Sequence, residues 1–290
     1  MDPFISRRDL FYRHSWKAPV GGLLLVGAAG LISTFVLGLI YGYAWAFIPI
    51  IHFKLVLLIG YPLAIGTVVS LALRAGNIRN DLVAILAGVG FGLLAEYMGW
   101  VAWTAAVLRD AKLLIVFFYP GDLIYFMQEV SRDGTFIFSE MQPTGFSLYL
   151  LWLVEAVIVI GGTEYMTIHN HLEDPFCEDC HAWVAQERYI GLFTPLSNES
   201  KFKHEIRQGN FQSFMELKAA NVGNRFTKIT TRECKSCKTF RLVTVKSISL
   251  WVNAEKKIES KTQTIINNLR VTSELLPTLE RLAQLQDQLR

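Results

Sequence analysis

Six side chains in this sequence have the types and positions to do chemistry. Four are cysteines, in two pairs: Cys177-Glu178-Asp179-Cys180 and Cys234-Lys235-Ser236-Cys237. The spacing is C-x2-C-x53-C-x2-C. Each C-x2-C can turn two sulfurs toward one point, and two such knuckles supply the tetrahedral S4 set of a closed, structural zinc site. Soft thiolates also suit iron–sulfur clusters. The other two are Glu96 and Glu155, each the one charge within a long apolar run. An ionisable group inside a membrane span is costly and is by default a functional-site hypothesis.

The flanks of the cysteines favour Zn2+. Ala182–Phe193 and Phe226–Thr231 read as strands, and Thr239–Val252 alternates apolar and polar residues. A redox dithiol would instead open a helix after a strand. Between the knuckles, Lys201–Ala220 reads as a helix interrupted near Gly209, with Phe202, Ile206, Phe214 and Leu217 able to pack. His169, His171 and His181 lie near the first knuckle, but four thiolates already complete a site, so they read as solvent-facing or supporting groups. Residues 174–252 resemble the zinc-ribbon class of folds. They depart from its simplest form in the long gap and in lacking the glycine common in such turns. The Pro175–Cys180 segment after the last apolar run also resembles one in uncharacterised bacterial polytopic membrane proteins. That resemblance implies no activity.

Composition says where the carboxylates sit. Of 290 residues, 52% are hydrophobic and 18% charged, against about 25% charged in average soluble domains. Residues 1–166 hold 10 Lys and Arg against 11 Asp and Glu, whereas 167–290 hold 18 against 14. A membrane span needs about 20 apolar residues. Val20–Tyr43, Leu55–Leu73, Leu82–Leu108 and Phe146–Ile160 qualify, the last extending to Gly162. The first is too long for a signal-peptide core.

Arg7, Arg8, Arg13 and Lys17 precede span 1, and Arg74 and Arg79 follow span 2. The positive-inside rule then puts both termini in the cytoplasm of a bacterial inner membrane. Cytosolic thiols stay reduced, which fits metal-binding cysteines. Gly38 with Gly42, and Gly88 with Gly92, form GxxxG pairs suited to close helix packing or self-association. Trp45, Trp100, Trp103 and Trp152 lie near span ends and read as interfacial anchors. Segment 109–145 is expected outside the membrane, with an amphipathic helix near Asp122–Val130. At 1.5 Å per residue, Glu96 lies about 21 Å from the inner end of its span and Glu155 about 8–12 Å, so the two are expected at different depths.

Arg225, Lys228, Arg232, Lys235, Lys238, Arg241 and Lys246 form a basic surface strip opposed locally by Glu233 alone. Such a strip suits anionic lipid headgroups. It suits nucleic acid less, because only Phe226 and Phe240 could stack bases. In the last segment, Ile258, Ile265, Leu269, Leu276, Leu279 and Leu282 recur at helical steps, so 255–290 is expected to be a helical tail that packs back or forms a homo-oligomer.

The expected architecture is an α-helical four-span membrane bundle (20–166) after a cytoplasmic segment (1–19). It is followed by a small α+β zinc-ribbon-like domain (167–254) and the helical tail. The function this favours is a membrane-anchored scaffold or signalling protein with a protein partner. A transporter or channel using Glu96 and Glu155, and a membrane-tethered nucleic-acid-binding ribbon, are the alternatives. No nucleophile–base pair, phosphate loop or open-metal motif argues for an enzyme.

Overall fold

The structure, a computed structural model, describes residues 10–109, 113–134, 143–172, 174–218, 223–253, 257–271, 277 and 279–281. These fall into two compact units: Ser15–Glu173, and Met1–His14 with Asp174–Arg290.

The first unit is helical. Its long helices are α1 (Val20–Phe47), α2 (Ile51–Ala75), α3 (Asp81–Leu108) and α6 (Phe146–Leu172). All four are long and apolar enough to cross a membrane. Between α3 and α6 lie α4 (Leu113–Phe118) and α5 (Pro120–Asp133), the second being the amphipathic helix expected there. Pro120 occupies the first turn of α5, where its missing N–H costs nothing. Residues 110–112 and 135–142 of the connecting segment lie outside the described residues. The Asn80 side chain caps α3 by accepting from the Val83 N–H at 3.2 Å. Large apolar side chains such as Leu24, Ile32, Leu86 and Val157 remain exposed on the outer faces.

Glycines set the spacing of the bundle. A Cβ on Gly42 would lie 2.5 Å from Ala102 Cβ and 2.6 Å from the Trp103 backbone nitrogen. A Cβ on Gly92 would lie 2.9 Å from Ile160 Cα. Both GxxxG pairs therefore serve packing within the chain, α1 on α3 and α3 on α6. α3 sits against both neighbours because its two small-residue faces allow it.

The second unit is a four-stranded antiparallel sheet in the order β3-β4-β5-β6: β3 (Glu187–Phe193), β4 (Arg225–Glu233), β5 (Arg241–Val252) and β6 (Ile258–Arg270). A separate small hairpin joins β1 (Phe176–Cys177) to β2 (Ala182–Trp183). Helices α7 (Glu199–Arg207) and α8 (Gln212–Met215) are separated at Gly209, whose φ is +80°. Phe202, Ile206 and Phe214 from this helical stretch share a buried core with Phe193, Ile229, Val243, Val245 and Leu269 of the sheet.

Two expectations change here. Residues 258–270 of the expected helical tail form β6. Register shifts opposite Val243–Lys246 interrupt strict alternation, so the buried Ile265, Ile266 and Leu269 mimic a helical spacing. Residues 277 and 279–281 are helical, and Leu279 is buried in the sheet's core; 272–276, 278 and 282–290 lie outside the described residues. The other change concerns the N-terminus. The Tyr12 N–H donates to the Asn268 carbonyl at 2.9 Å and the Arg270 N–H to that of Leu10 at 2.8 Å, which lays the chain along β6. Residues 1–9, with Arg7 and Arg8, lie outside the described residues.

The glycine contacts give a paired test. Gly42→Val should force α1 from α3 and cost at least about 1–3 kcal/mol, the usual cost of overpacking. Gly27→Val, whose Cβ meets nothing within 4 Å, should leave stability unchanged. Thermal unfolding of the detergent-purified protein, followed by size exclusion, distinguishes the two.

Candidate functional site

The four cysteines converge. The β1–β2 hairpin carries Cys177 and Cys180, and the turn between β4 and β5 carries Cys234 and Cys237. Their Sγ atoms all lie within 4.8 Å of one another, and those of Cys177 and Cys237 are 3.8 Å apart. A tetrahedron with 2.3 Å metal–sulfur bonds has edges of about 3.8 Å. All four are free thiols, with Cys177 and Cys234 buried. The cluster could therefore hold a metal ion.

The two knuckles share one backbone device. The residue after the second cysteine of each, His181 and Lys238, has φ +49° and +57°. A glycine would carry this φ without strain, and neither knuckle has one. The chain accepts left-handed strain to aim both sulfurs inward. Around the second knuckle, the Cys234 N–H donates to the Phe240 carbonyl at 3.0 Å, and the Lys238 N–H to the Cys234 carbonyl at 3.0 Å. Burial pushes the Cys177 thiol up to about 12 and also raises Cys180. Cys237 moves down to about 6, because the Thr239 hydroxyl and the Phe240 and Thr239 N–H groups donate to it. Metal binding at these sulfurs would release protons.

Tyr12 ties the knuckles together. Its hydroxyl oxygen accepts from the Phe176 N–H at 2.9 Å, and its ring meets Phe240 edge-on at 5.8 Å. Sequence reasoning missed it; a lone tyrosine far from the cysteines gives no periodic signal.

The basic strip is less open than its sequence suggests. Arg241 pairs with Glu233 at 3.2 Å, Lys246 with Glu187 at 3.3 Å and Arg232 with Asp174 at 3.7 Å. Burial raises Glu187, but the Thr230 hydroxyl and Lys246 outweigh it and hold the carboxyl below its usual value. Arg225, Lys228, Lys235 and Lys238 carry the remaining charge.

In the helical unit, Glu96 and Glu155 line one cavity of about 710 Å³. The expected difference in depth disappears, because α6 runs on to Leu172. At 1.5 Å per residue, Glu155 then lies about 25 Å from the C-terminal end of α6, and Glu96 about 22 Å from the start of α3. The Tyr41 hydroxyl donates to Glu155 Oε1 at 2.6 Å, and the Trp100 indole N–H donates to Glu96 Oε1 at 2.9 Å. Tyr41 stacks on Tyr61 with ring centroids 4.5 Å apart, and the Tyr61 hydroxyl donates to the Ala95 carbonyl at 2.8 Å.

The four tryptophans expected as interfacial anchors all line this cavity. Trp100 meets Trp103 at 5.4 Å and Trp152 at 4.9 Å, both edge-on. Lys54, which falls between the apolar runs Val20–Tyr43 and Leu55–Leu73, lies in the first turn of α2 and lines the cavity with its ammonium 5.3 Å from the Trp45 ring centroid. A third carboxylate, Glu164, packs on Gly88. Ending span 4 at Gly162 hid it.

Comparison with protein-family models, curated proteins and solved structures finds no match.

The strained turns make a specific prediction. Lys238→Gly and His181→Gly should each stabilise the metal-loaded protein by about 0.5–1 kcal/mol, the left-handed penalty less the entropy cost of glycine. Denaturant unfolding measures this, and a loss of stability would show that these side chains contribute more than the strain costs.

Proposed function

We propose that this chain is a multi-pass membrane protein whose soluble domain, stapled by one structural zinc ion, serves as an interaction module. The observation that carries the interaction reading is the β5–β6 hairpin. It continues past the end of β4, and its tip exposes Trp251 (43%), Val252 (65%) and Ile258 (75%). Leu10–Tyr12 pair with the Asn268–Arg270 end of β6, and residues 258–264, toward its other end, are exposed. An open edge beside an apolar tip suits a protein partner that adds an extended segment.

Zinc is favoured by the donor set and the short sulfur–sulfur edge. A multi-iron cluster must fit between its thiolates and would hold them further apart. Membrane insertion is supported by the exposed apolar faces of the four long helices, which water would not tolerate at this extent. The flanking charges and the free thiols support a bacterial inner membrane with both ends cytoplasmic. Nucleic-acid binding loses ground, since Arg232, Arg241 and Lys246 already face acidic partners.

Two measurements test this. Purified protein should contain one zinc per chain by elemental analysis, and Cys234→Ser should lose it and expose the soluble domain to protease while the helical unit stays intact. A metal-free protein with a protease-resistant soluble domain would end the zinc reading. A photo-crosslinker at position 251 should trap a discrete partner in native membranes. Trp251→Ser with Ile258→Ser should retain zinc and fold but weaken co-purification of that partner at least tenfold; unchanged recovery would exclude the hairpin as the contact.

A further inference from the structure

The cavity in the helical unit has contents that the interaction reading does not use. Its volume, about 710 Å³, lies in the range of pre-formed small-molecule sites. Its walls are mostly apolar and aromatic, yet two carboxylates open onto it. Ion pairing does not explain them: among the described residues, no Lys or Arg lies within 4.0 Å of Glu96 or Glu155. They are instead oriented by dedicated donors, Tyr41 for Glu155 and Trp100 for Glu96. Each donor occupies Oε1 alone, so neither bond uses up the carboxylate's acceptor capacity.

The aromatic rings complete the pattern. Trp45, Trp100, Trp103 and Trp152 border the same space as the two acids. The face of an indole attracts cations. Lys54 shows that this wall does so, because its ammonium lies over Trp45. A charged carboxylate beside apolar walls is expensive unless a cation meets it. A ligand that is both apolar and positively charged satisfies both parts of the lining. Metal ions and protons use only the carboxylates and leave most of the volume unfilled. An anionic ligand would meet two carboxylates against the one ammonium of Lys54.

We propose that this cavity binds an apolar organic cation, such as a lipophilic amine or quaternary onium ion, with Glu96 and Glu155 as its counter-charges and the tryptophans as its cage. Tyr41, held by its stack on Tyr61, is a positioning residue that fixes Glu155. The site is independent of the metal reading, since every residue in it belongs to Ser15–Glu173.

The test uses full-length protein in a neutral detergent, with tetraphenylphosphonium as probe and tryptophan quenching together with equilibrium dialysis as readouts. Wild-type protein should bind tetraphenylphosphonium saturably and at least tenfold more tightly than neutral triphenylphosphine oxide or anionic tetraphenylborate. Equal binding of the three would overturn the proposal without any variant. Glu96→Gln and Glu155→Gln should each weaken binding at least tenfold. Ala46→Trp, which adds bulk at a lining position that is neither an acid nor a cage ring, should abolish it. Trp100→Phe, which keeps a ring but loses the indole donor, should weaken binding about threefold to tenfold. Wild-type affinity in the double glutamine variant, or in a folded Ala46→Trp protein, would place the probe elsewhere and end the proposal.

Discussion

Four thiols held within 4.8 Å of one another cannot all ionise without a cation between them. That constraint acts on one end of the sheet unit. It brings the β1–β2 hairpin against the turn between β4 and β5, two segments far apart in sequence. Val184 and Phe240 pack beside the sulfurs, and Phe176 is buried against Trp183 in the same hairpin. The main core lies elsewhere, between the sheet and α7 and α8. The sulfur cluster and these rings together join the two knuckles at this end of the domain. The backbone pays for it with left-handed residues at His181 and Lys238.

The helical unit solves a different problem. Its helices are apolar on nearly every face, so burial alone does not select one arrangement. Small residues select it. Gly38 and Gly42 admit α3 on one side, and Gly88 and Gly92 admit α6 on the other. That fixed spacing brings Glu96 and Glu155 to one space and surrounds them with rings from separate helices. The glycines thus determine the chemistry of the cavity although they contribute no functional group to it.

The parts legible in the sequence were those with a local signature. Long apolar runs marked the four helices, and paired cysteines marked the knuckles. What escaped depended on residues that break a pattern. α6 continues through Thr163, Glu164 and Thr167, polar residues at which hydropathy stops. The helix accommodates both threonines: the Thr167 hydroxyl donates to the Thr163 carbonyl at 2.8 Å and the Thr163 hydroxyl to that of Pro62 at 3.4 Å. β6 escaped because its irregular register scattered Ile265, Ile266 and Leu269 into helical steps. The tryptophans sat near span ends, where anchoring is the ordinary explanation, and only tertiary packing shows that they meet. The acidic partners of the basic strip, Asp174 and Glu187, lie outside the strip and could not be counted with it.

The strand-like pairing of Leu10 and Tyr12 with β6 has a consequence in time. Its first half emerges before any of the four long helices, and its second half is made after all of them. At 5–20 residues per second the early strand waits on the order of tens of seconds for its partner. If the helices cross a bilayer, the two halves can meet only when the number of crossings between them is even. A chain that skipped one crossing would leave Tyr12 and Phe176 on opposite faces, with the knuckles unlaced. In a membrane-inserted chain, pairing of Tyr12 with β6 would thus act as a parity check on insertion, applied by the protein to itself.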